Sequence, residues 1–599
     1  MSTDFLTMDD ESRQTLRHST AHVLAQAVLA LFPDAMYAGG PPIEDGFYYD
    51  FDIGRPFTPE DLEKLEKKMR GIIAQDQPFE RQEVSVAEAL QVFTGQPYKL
   101  EWIQGIGDDA AEQGVTDEKV SLYRNGAHFV DLCRGPHIAS TGKVTAFKLL
   151  RTSGAYWRGS EKNPMLQRIY GTAWESKEAL QAYIDRKEEE LKRDHRKVGT
   201  ELDLFSFPPE LGAGLAVWHP RGGVIRRVME EYSRKVHERS GYEFVYSPHI
   251  AKSVLWETSG HLDFYAENMY PPMELEGSTY YAKPMNCPFH ALIFRNRTRS
   301  YRELPLRLFE FGTVYRFERS GAIQGLLRVR GMTQDDAHIF VSTEQVVPEL
   351  RTLLGFVLQM LRDFGFDRFE AKLSTRDPEK SIGEQEGWDI ATDALRQALE
   401  AEGVAYEVDE GAGAFYGPKI DIDITDALGR PWQCSTLQFD FNLPERFDLE
   451  YVADDGTRQR PFVIHRVLFG SVERFFAILV EHYAGAFPLW LSPVQVVIIP
   501  IAENHHSYAA SIADQLRAAD VRVEVDLSNE TLGNRIRKAQ SSKTPYTIVV
   551  GDNEEKAGLL SVRPRGGKEL RGVAPKDFLL QLQQEMSVKG SGATSAPNP

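Results

Sequence analysis

Two pairs of residues that could carry out chemistry stand in the first quarter of the chain. His18 and His22 lie four residues apart, and Cys133 and His137 repeat that spacing. On a helix, His18 and His22 would point the same way. The four side chains could bind a metal ion, or they could form a metal-free cleft in which a histidine orients or deprotonates water. Spacing alone leaves these alternatives even, and His18 with His22 taken by themselves could be surface histidines.

Three further residues of metal-binding type are far apart in the sequence: Cys287, His338 and His465. Three such residues are expected by chance in a chain of 599, so their positions alone favour ordinary core residues. Cys434 stands alone, and we interpret it as a buried structural thiol.

Two arginines could bind a polyphosphate. Arg316 and Glu318 end a predicted strand, and a second strand is predicted over residues 333–340. Arg474 stands at a predicted helix start. Arginines on separate rigid elements could hold opposite ends of a triphosphate, so that catalysis would depend on positioning and charge stabilisation. A surface ion pair is the alternative for either arginine alone. The sequence contains no Walker-type loop, so ATP would bind without one.

Size and composition constrain the elements that must position these side chains. A chain of 599 residues predicts about three or four domains. Three widely spaced cysteines argue against a disulfide framework. We find no leader-like N-terminal segment, and the most apolar runs are far shorter than the ~20 residues that span a bilayer. We therefore expect a cytoplasmic protein that does not associate with membranes.

The pattern along the chain predicts an α+β multidomain protein. It begins with a helix over residues 16–31, and residues 177–197 are predicted to form one exposed helix. Few regular helix alternations in the large central block indicate a mostly antiparallel sheet with flanking helices. The expected divisions are a flexible N terminus (1–13), an α+β domain (14–175), a linker helix (176–198), the central domain (199–488), a C-terminal domain (489–586) and a flexible tail (587–599).

The C-terminal block alternates strands and helices, which predicts a small α/β domain. The net charge of the chain is −19, yet residues 535–571 hold nine basic and four acidic side chains. This local positive excess marks the block as the first place to look for phosphate contacts.

Three segments resemble the signature motifs of class II aminoacyl-tRNA synthetases. Residues 242–248, with Pro248 at the dimer interface, resemble motif 1, residues 311–338 resemble motif 2, and residues 470–474 resemble motif 3. Together with the Cys287, His338 and His465 set, they resemble the threonyl-tRNA synthetases, over about residues 15–585. The resemblance implies a class II antiparallel-sheet catalytic core, an N-terminal editing domain and a C-terminal anticodon-binding domain.

The resemblance also implies an activity and its ligands. The family activates L-threonine with ATP and Mg²⁺, transfers it to tRNA(Thr), and works as a homodimer through motif 1. One Zn²⁺ per subunit would be held by Cys287, His338 and His465. Arg316 and Arg474 would bind the ATP phosphates and Glu318 the adenine end. The other residues implied around threonine, ATP and the adenylate are Gln334, Asp336, Lys419, Met285, Arg328, Tyr416, Gln433, Thr436, Gln438 and Ser471.

The zinc would recognise the amino group and hydroxyl of threonine, which explains why a second site is needed. A site built around a required hydroxyl rejects valine by ~10⁴–10⁵, but the one methyl that serine lacks is worth only ~1–3 kcal/mol. The family hydrolyses the mischarged seryl-tRNA in an editing cleft, which the resemblance leads us to expect without a metal. The residues implied there are His18, His22, Cys133, His137, Asp131 and Tyr49.

The resemblance extends to the C-terminal block and includes one departure. Asn529, Glu554 and Arg563 match anticodon-binding positions. Many family members begin with a small ubiquitin-like domain, whereas here the His18 helix starts almost at once, so we expect a form that lacks that domain. Phe289 stands where glycine is frequent, and we expect little effect.

Three other functions compete with this interpretation. A noncatalytic tRNA-binding relative would have lost motif arginines or zinc ligands, but all are present. A class II ligase for serine or proline does not fit the zinc triad together with the editing quartet. A stand-alone editing factor would not need the complete ATP site.

Overall fold

The computed structural model describes residues 8–105, 119–127, 129–379 and 381–590. The chain divides into two compact units, residues 1–188 and 189–599. The predicted flexible ends fall largely on residues 1–7 and 591–599, which lie outside the described residues. The domain boundaries remain predictions.

The first unit begins with the helix Asp10–Leu31. It ends where predicted but starts earlier than residue 16, because Asp9 accepts a hydrogen bond from the Ser12 amide at 2.7 Å and caps the helix. Residues 10–13 are therefore helical. Leu16, Leu24 and Val28 on this helix are buried in the core of the unit.

Two antiparallel sheets complete the first unit. One has the strand order Met36–Tyr37, Gly46–Asp52, Met165–Trp174 and Ala146–Tyr156, with Pro42–Ile43 also paired to Gly46–Asp52. The other has the order Phe79–Ser85, Lys119–Asn125 and Phe129–Leu132. The described part of this unit also contains the α-helices Pro59–Ile73, Val86–Val92 and Pro97–Ile103. A further helix, Lys177–Arg193, begins in this unit and continues into the second.

The predicted single linker helix is wrong, because the structure has two helices there. They are Lys177–Arg193 and His195–Glu201. Asp194 between them leaves helical geometry (φ −46°, ψ 121°), and its carboxylate accepts a hydrogen bond from the Arg196 amide at 2.8 Å. The second helix is also not exposed at its start, since His195 is buried.

An eight-stranded sheet forms the centre of the second unit. It is mostly antiparallel, as the sequence predicted. The six central strands pair antiparallel, and only the two edge strands pair parallel. The strand order is Glu243–Phe244, Leu306–Tyr315, Gly331–Val341, Phe462–Val467, Pro431–Asp440, Lys419–Thr425, Phe369–Ser374 and Tyr406–Asp409.

Helices flank this sheet and carry the apolar side chains that cover it. Val346–Asp363, Gln385–Ala401 and Val472–His482 contribute most of the buried helical residues of the large core. The other α-helices described in this part of the unit are Pro220–Arg239, Ser253–Ser259, His261–Phe264, Cys287–Arg295 and Asn442–Arg446. One small sheet consists of Ile250–Lys252, Ser278–Ala282 and Met273–Leu275. A second consists of Arg299–Ser300, Tyr451–Val452 and Arg458–Gln459. Phe205–Ser206 pairs with Val217–Trp218 in a third.

The last part of the chain is the predicted α/β domain. Its sheet has the order Val523–Val525, Val496–Pro500, Tyr546–Val550, Leu560–Pro564 and Leu570–Val573. The first three strands are parallel, and the last two add an antiparallel hairpin that the strand–helix alternation did not predict. Its α-helices are His506–Arg517, Leu532–Ser541, Asp552–Ala557 and Pro575–Ser587. Among the described residues, no helix of the chain is long and apolar enough to cross a bilayer.

Candidate active sites

One face of the eight-stranded sheet collects the polar side chains of the first candidate site. Alternate residues of a strand face the same side, so Gln334, Asp336 and His338 share a face. His338 lies directly opposite His465 on the next strand, and His465 lies opposite Gln438 on the strand after that. The strand register therefore brings together residues that are far apart in the chain.

A β-bulge adds a further residue to this face. Asp423 is the partner of Gln433 while its neighbour Ile422 is the partner of Ser435, so Cys434 is the extra residue of the bulge. An extra residue reverses the alternation. For this reason Gln433 lines the same cavity as Thr436 and Gln438, although regular alternation would have placed it on the other face.

Cys287, His338 and His465 form a compact and buried cluster. Their potential ligand atoms lie within 4.8 Å of one another, and Nε2 of His338 is 2.9 Å from Nδ1 of His465. Cys287 stands at the start of the helix Cys287–Arg295. One thiol and two imidazoles form a donor set that suits zinc, and three protein ligands leave a coordination position open.

Residues around the cluster hold its imidazole rings in place. Nε2 of His465 lies 2.9 Å from the Asp440 carboxylate. Nδ1 of His338 lies 2.9 Å from Nδ1 of His290, and Nε2 of His290 lies 3.1 Å from the Glu310 carboxylate. Such outer contacts orient metal-binding histidines. Nothing in the sequence spacing had identified Asp440, His290 or Glu310.

Burial alone would keep Cys287 and His338 uncharged. It raises the pKa of the Cys287 thiol well above its usual value and lowers the pKa of His338 well below the usual histidine value. A neutral imidazole is ready to bind a metal, whereas a buried thiolate requires a cation beside it. The residues present therefore fit a zinc ion.

A cavity of about 620 Å³ lies over this face of the sheet. It is lined by nearly all of the residues implied for the reaction: Met285, Cys287, Arg316, Glu318, Arg328, Gln334, Asp336, His338, Tyr416, Gln433, Thr436, Gln438, His465, Ser471 and Arg474. Lys419 is not among the lining residues; its amine lies 2.6 Å from the Asp421 carboxylate. Tyr265, Leu327 and Met332 also line the cavity, and sequence reasoning missed them because apolar and aromatic side chains carry no distinctive spacing.

The two arginines are fixed by backbone carbonyls. Arg474 donates to the carbonyl oxygens of Gln433 at 2.9 Å and Leu327 at 3.1 Å. Its helix begins at Val472 and is capped by Ser471, whose hydroxyl accepts from the Arg474 amide at 3.0 Å. Arg316 follows the end of its strand and donates to the Pro284 carbonyl at 3.2 Å.

The cavity has a metal-binding end and an arginine end. Gln334 donates to the Gly470 carbonyl at 3.3 Å, beside the start of the Arg474 helix. Four residues further along the same strand stands His338, about 13 Å away at the usual rise of a strand. The cavity therefore extends along this strand from the arginine end to the metal end.

A second candidate site lies in the first unit and brings the other quartet together. Sγ of Cys133 is 3.2 Å from Nε2 of His18 and 3.3 Å from Nε2 of His137. His22 is 3.3 Å from the Asp131 carboxylate. A cavity of about 320 Å³ adjoins these residues. His137 lies behind the cavity wall, stacked on Phe79, and is not among the lining residues.

Lys99 is the functional candidate that sequence reasoning missed. Its amine lies 2.5 Å from Asp131, whose other oxygen accepts a 2.6 Å hydrogen bond from the Tyr49 hydroxyl. Lys99 and Asp131 are buried, and a buried lysine is rare unless paired. The helix Pro97–Ile103 that carries Lys99 is short and gave no distinctive pattern.

Burial keeps Cys133, His18 and His22 of this second site neutral. Burial raises the pKa of the Cys133 thiol to about 12. It lowers the pKa of His18, and for His22 burial together with the neighbouring His18 and Lys99 lowers the pKa well below the usual value. Neutral imidazoles can accept a proton from water or bind a metal ion, so both alternatives remain compatible with the site.

The three implied anticodon residues do not share one location. Asn529 follows the strand Val523–Val525 and Glu554 follows Tyr546–Val550, so both lie at the carboxyl edge of the parallel strands. Arg563 instead pairs with Thr547, near the other end of that strand. Its guanidinium lies 3.1 Å from the Glu569 carboxylate.

Three segments of the chain match known families. Residues 272–483 match the family described as tRNA synthetase class II core domain (G, H, P, S and T). Residues 495–585 match the anticodon binding domain, and residues 120–170 match the Threonyl and Alanyl tRNA synthetase second additional domain. The chain therefore has the fold of a class II aminoacyl-tRNA synthetase.

Comparisons with individual relatives identify the family within this class. The threonine–tRNA ligase of Streptomyces avermitilis is 56% identical over 584 residues, which are 96% of this chain and 89% of the relative. That of Thermobifida fusca is 57% identical over 576 residues, 94% of this chain and 87% of the relative. A solved structure of the RNA binding domain of threonyl-tRNA synthetase from Cryptosporidium parvum Iowa II has a TM-score of 0.63 and 38% identity, covering 65% of this chain and 98% of that one. The chain belongs to the threonine–tRNA ligase family.

Proposed function

We propose that this chain activates L-threonine with ATP, transfers it to tRNA(Thr), and hydrolyses seryl-tRNA(Thr) in the cleft of its first unit. The observation that carries the proposal is the cavity that holds the Cys287–His338–His465 cluster at one end and Arg474 at the other. Family membership supplies the reaction, and the cavity supplies a place for both substrates.

The zinc ion is expected on Cys287, His338 and His465, one per chain. When bound there, it supplies a Lewis-acid contact for the amino and hydroxyl groups of threonine. Asp440 and His290 orient the two imidazoles. A hydroxyl-dependent contact rejects valine strongly and serine weakly, which accounts for the second site.

Activation is a displacement at the α-phosphorus of ATP. The threonine carboxylate forms the new P–O bond and pyrophosphate leaves with the electron pair of the broken one. Arg316 and Arg474 would bind the phosphate oxygens and Glu318 would contact the adenine end; Mg²⁺ bound with ATP would supply further positive charge at the phosphates. Gln334, Asp336, Tyr416, Gln433, Thr436 and Gln438 would surround threonine and the adenylate. This catalysis relies on positioning and charge stabilisation.

The second site would hydrolyse the ester of mischarged tRNA. We propose that water attacks the seryl ester carbonyl and that the bond to the tRNA 3′ oxygen breaks, with His18 taking the proton of the water and returning it to the leaving oxygen. Asp131, Lys99 and Tyr49 hold the floor of the cleft through their buried contacts. The match of residues 120–170 to the second additional domain supports this assignment.

Two further parts of the proposal concern partners. Asn529, Glu554 and Arg563 are proposed to contact the anticodon.

A homodimer is proposed through residues 242–248. An apolar groove next to Pro248, in which Tyr246 is 80% and Val254 is 59% exposed, supports this. Light scattering of the purified chain, which reads its mass in solution, tests the dimer.

The test of the main proposal is ATP–pyrophosphate exchange with threonine, serine and valine, on protein assayed for zinc. Strong exchange with threonine, weaker exchange with serine and almost none with valine, at about one zinc per chain, supports it. A second equivalent of zinc that is lost on substituting His18 would favour a metal in the hydrolytic cleft. Absence of threonine-dependent exchange in folded, zinc-loaded protein would overturn the ligase and favour a noncatalytic tRNA-binding role.

A further inference from the structure

His195 contacts a tight turn that forms part of the wall of the large cavity. The turn spans residues 324–328 and is closed by a hydrogen bond from the Leu327 amide to the Gln324 carbonyl at 2.9 Å. Leu327 and Arg328 of this turn line the cavity. Any shift of the turn therefore moves the wall against which a nucleotide would bind.

The helix Val472–His482 holds two consecutive residues of this turn. Arg474 donates directly to the Leu327 carbonyl at 3.1 Å. The Leu326 amide donates to Nε2 of His195 at 3.1 Å, and Nδ1 of His195 lies 2.7 Å from the Glu481 carboxylate. Arg474 and Glu481 are about two turns apart on the one helix, so the helix reaches the turn at two points, directly and through His195.

The contacts of His195 fix its protonation pattern. Because Nε2 accepts an amide hydrogen, Nδ1 must carry the ring proton and donate it to Glu481. The second oxygen of Glu481 lies 2.6 Å from the Arg430 guanidinium. Asp194, His195 and Glu481 are also close enough together to suggest a metal site, but Nε2 of His195 and both oxygens of Glu481 are already used by these contacts.

The neighbouring glycine is required for the same contact. Gly325 has a φ of +50°, and a Cβ built on it would lie 2.2 Å from Nε2 of His195. A side chain at position 325 would therefore displace the imidazole or the turn. Since Leu326 and His195 are both buried, a broken contact would leave an amide without a partner in a place that water does not reach.

We propose that His195 is a positioning residue for ATP, which acts by fixing the turn at residues 324–328 against the helix of Arg474. The proposal rests on the ligase function proposed above. It predicts that the loss of the Nε2 acceptor weakens ATP binding and leaves the recognition of threonine unchanged, because His338, His465 and Gln438 at the metal end lie on strands that His195 does not touch.

The experiment compares two substitutions of His195 by an amide side chain. Each places an amide near only one of the two ring nitrogens of the imidazole. His195→Asn keeps a donor for Glu481 but has no acceptor near Leu326, whereas the longer side chain of His195→Gln places an amide near the position of Nε2. ATP binding is measured by calorimetry, and the KM values for ATP and threonine by pyrophosphate exchange. For His195→Asn we expect the Kd and KM for ATP to rise about five- to tenfold, as for one lost buried hydrogen bond, with partial rescue in His195→Gln.

His505→Asn provides the matched control. His505 is also buried and also pairs with a glutamate, since its Nδ1 lies 2.6 Å from Glu555, but it belongs to the C-terminal domain, which exchange without tRNA does not use. Its ATP affinity should equal that of the parent chain. Gly325→Ala breaks the same contact from the other side and should repeat the ATP defect if His195→Asn fails to fold.

The calorimetric readout separates this proposal from the ligase proposal. A parent chain that binds ATP but shows no threonine-dependent exchange overturns the ligase and still allows the effect of His195 on ATP binding to be measured. Unchanged ATP affinity in folded His195→Asn and Gly325→Ala, with only a lower melting temperature, would show that the contact is purely structural and overturn the inference.

Discussion

His338 and His465 occupy directly opposed positions on adjacent antiparallel strands, and their facing imidazole nitrogens are 2.9 Å apart. Burial holds the pKa of His338 well below its usual range, so the ring is neutral and can donate its lone pair to a metal. Cys287 completes the cluster from the start of a helix outside the sheet. The relationship makes the metal end of the cavity the most direct target for experiments.

Removal of the thiolate should release the metal. In Cys287→Ser we expect the zinc affinity to fall by more than about 100-fold, beyond the range of an outer contact, with threonine-dependent exchange lost in parallel. Elemental analysis after dialysis against a chelator measures the first effect. Cys434→Ser, a substitution at another buried thiol outside the cluster, should retain the metal. A full equivalent of zinc in Cys287→Ser would contradict the assignment.

The carboxylate behind His465 should tune metal affinity. Oδ1 of Asp440 accepts from the amides of Asn442 and Leu443, and Oδ2 contacts His465. Asp440→Asn can keep the first role and lose the second, so we expect zinc affinity to fall about 10–100-fold with little loss of stability. Chelator competition measures it. Asp448→Asn, at a side chain that is 82% exposed, should leave the affinity unchanged, and equal affinities in both variants would refute the role of Asp440.

The buried ion pair of Lys99 and Asp131 should be costly to break from one side. Lys99→Met leaves an uncompensated buried carboxylate, and we expect the first unit to lose about 3–5 kcal/mol of stability along with its hydrolysis of seryl-tRNA. The double variant with Asp131→Asn removes both charges. It should regain stability but not hydrolysis, as seen by thermal unfolding and by deacylation of seryl-tRNA. Wild-type deacylation in Lys99→Met would show that the pair is dispensable for the reaction.

His137 should make the first unit sensitive to acid. Its stacking on Phe79 and its edge-on contact with Tyr123 desolvate the ring, and this burial, with His22 and His18 nearby, lowers its pKa. Because the folded pKa is below the unfolded value of about 6.5, the unfolded state binds more protons in acid. Stability is therefore full above that pH and is lost as the pH falls, by up to about 1.4 kcal/mol per pH unit for one histidine.

Comparison of the parent chain with His137→Gln checks this dependence. We follow the free energy of unfolding of the first unit by hydrogen exchange between pH 7.5 and 5.5. As the pH decreases, it should fall less steeply in the variant, and the slopes should differ by about the contribution of one histidine. Parallel curves would mean that His137 does not titrate on unfolding.

Local patterns in the sequence were enough to predict much of the fold. Apolar runs such as residues 496–500 and 546–550 form buried strands as predicted, because such runs are stable only in a core. The end of the first helix and the capped start at Ser471 were also predictable, since capping depends on neighbours within three or four residues. The break at Asp194 was missed because charged residues on both sides favour a continuous helix.

The sequence by itself determined which residues could react. The histidines, the cysteines and the motif arginines can be recognised from their residue types, and the sequence segments that contain them identify a family. Only the tertiary structure decided how they meet. Cys287, His338 and His465 converge through strand register, Gln433 reaches the cavity through a bulge, and Lys99 pairs with Asp131 across the first unit. Register, bulges and burial arise from contacts between residues far apart in the chain, and local sequence patterns do not encode those contacts.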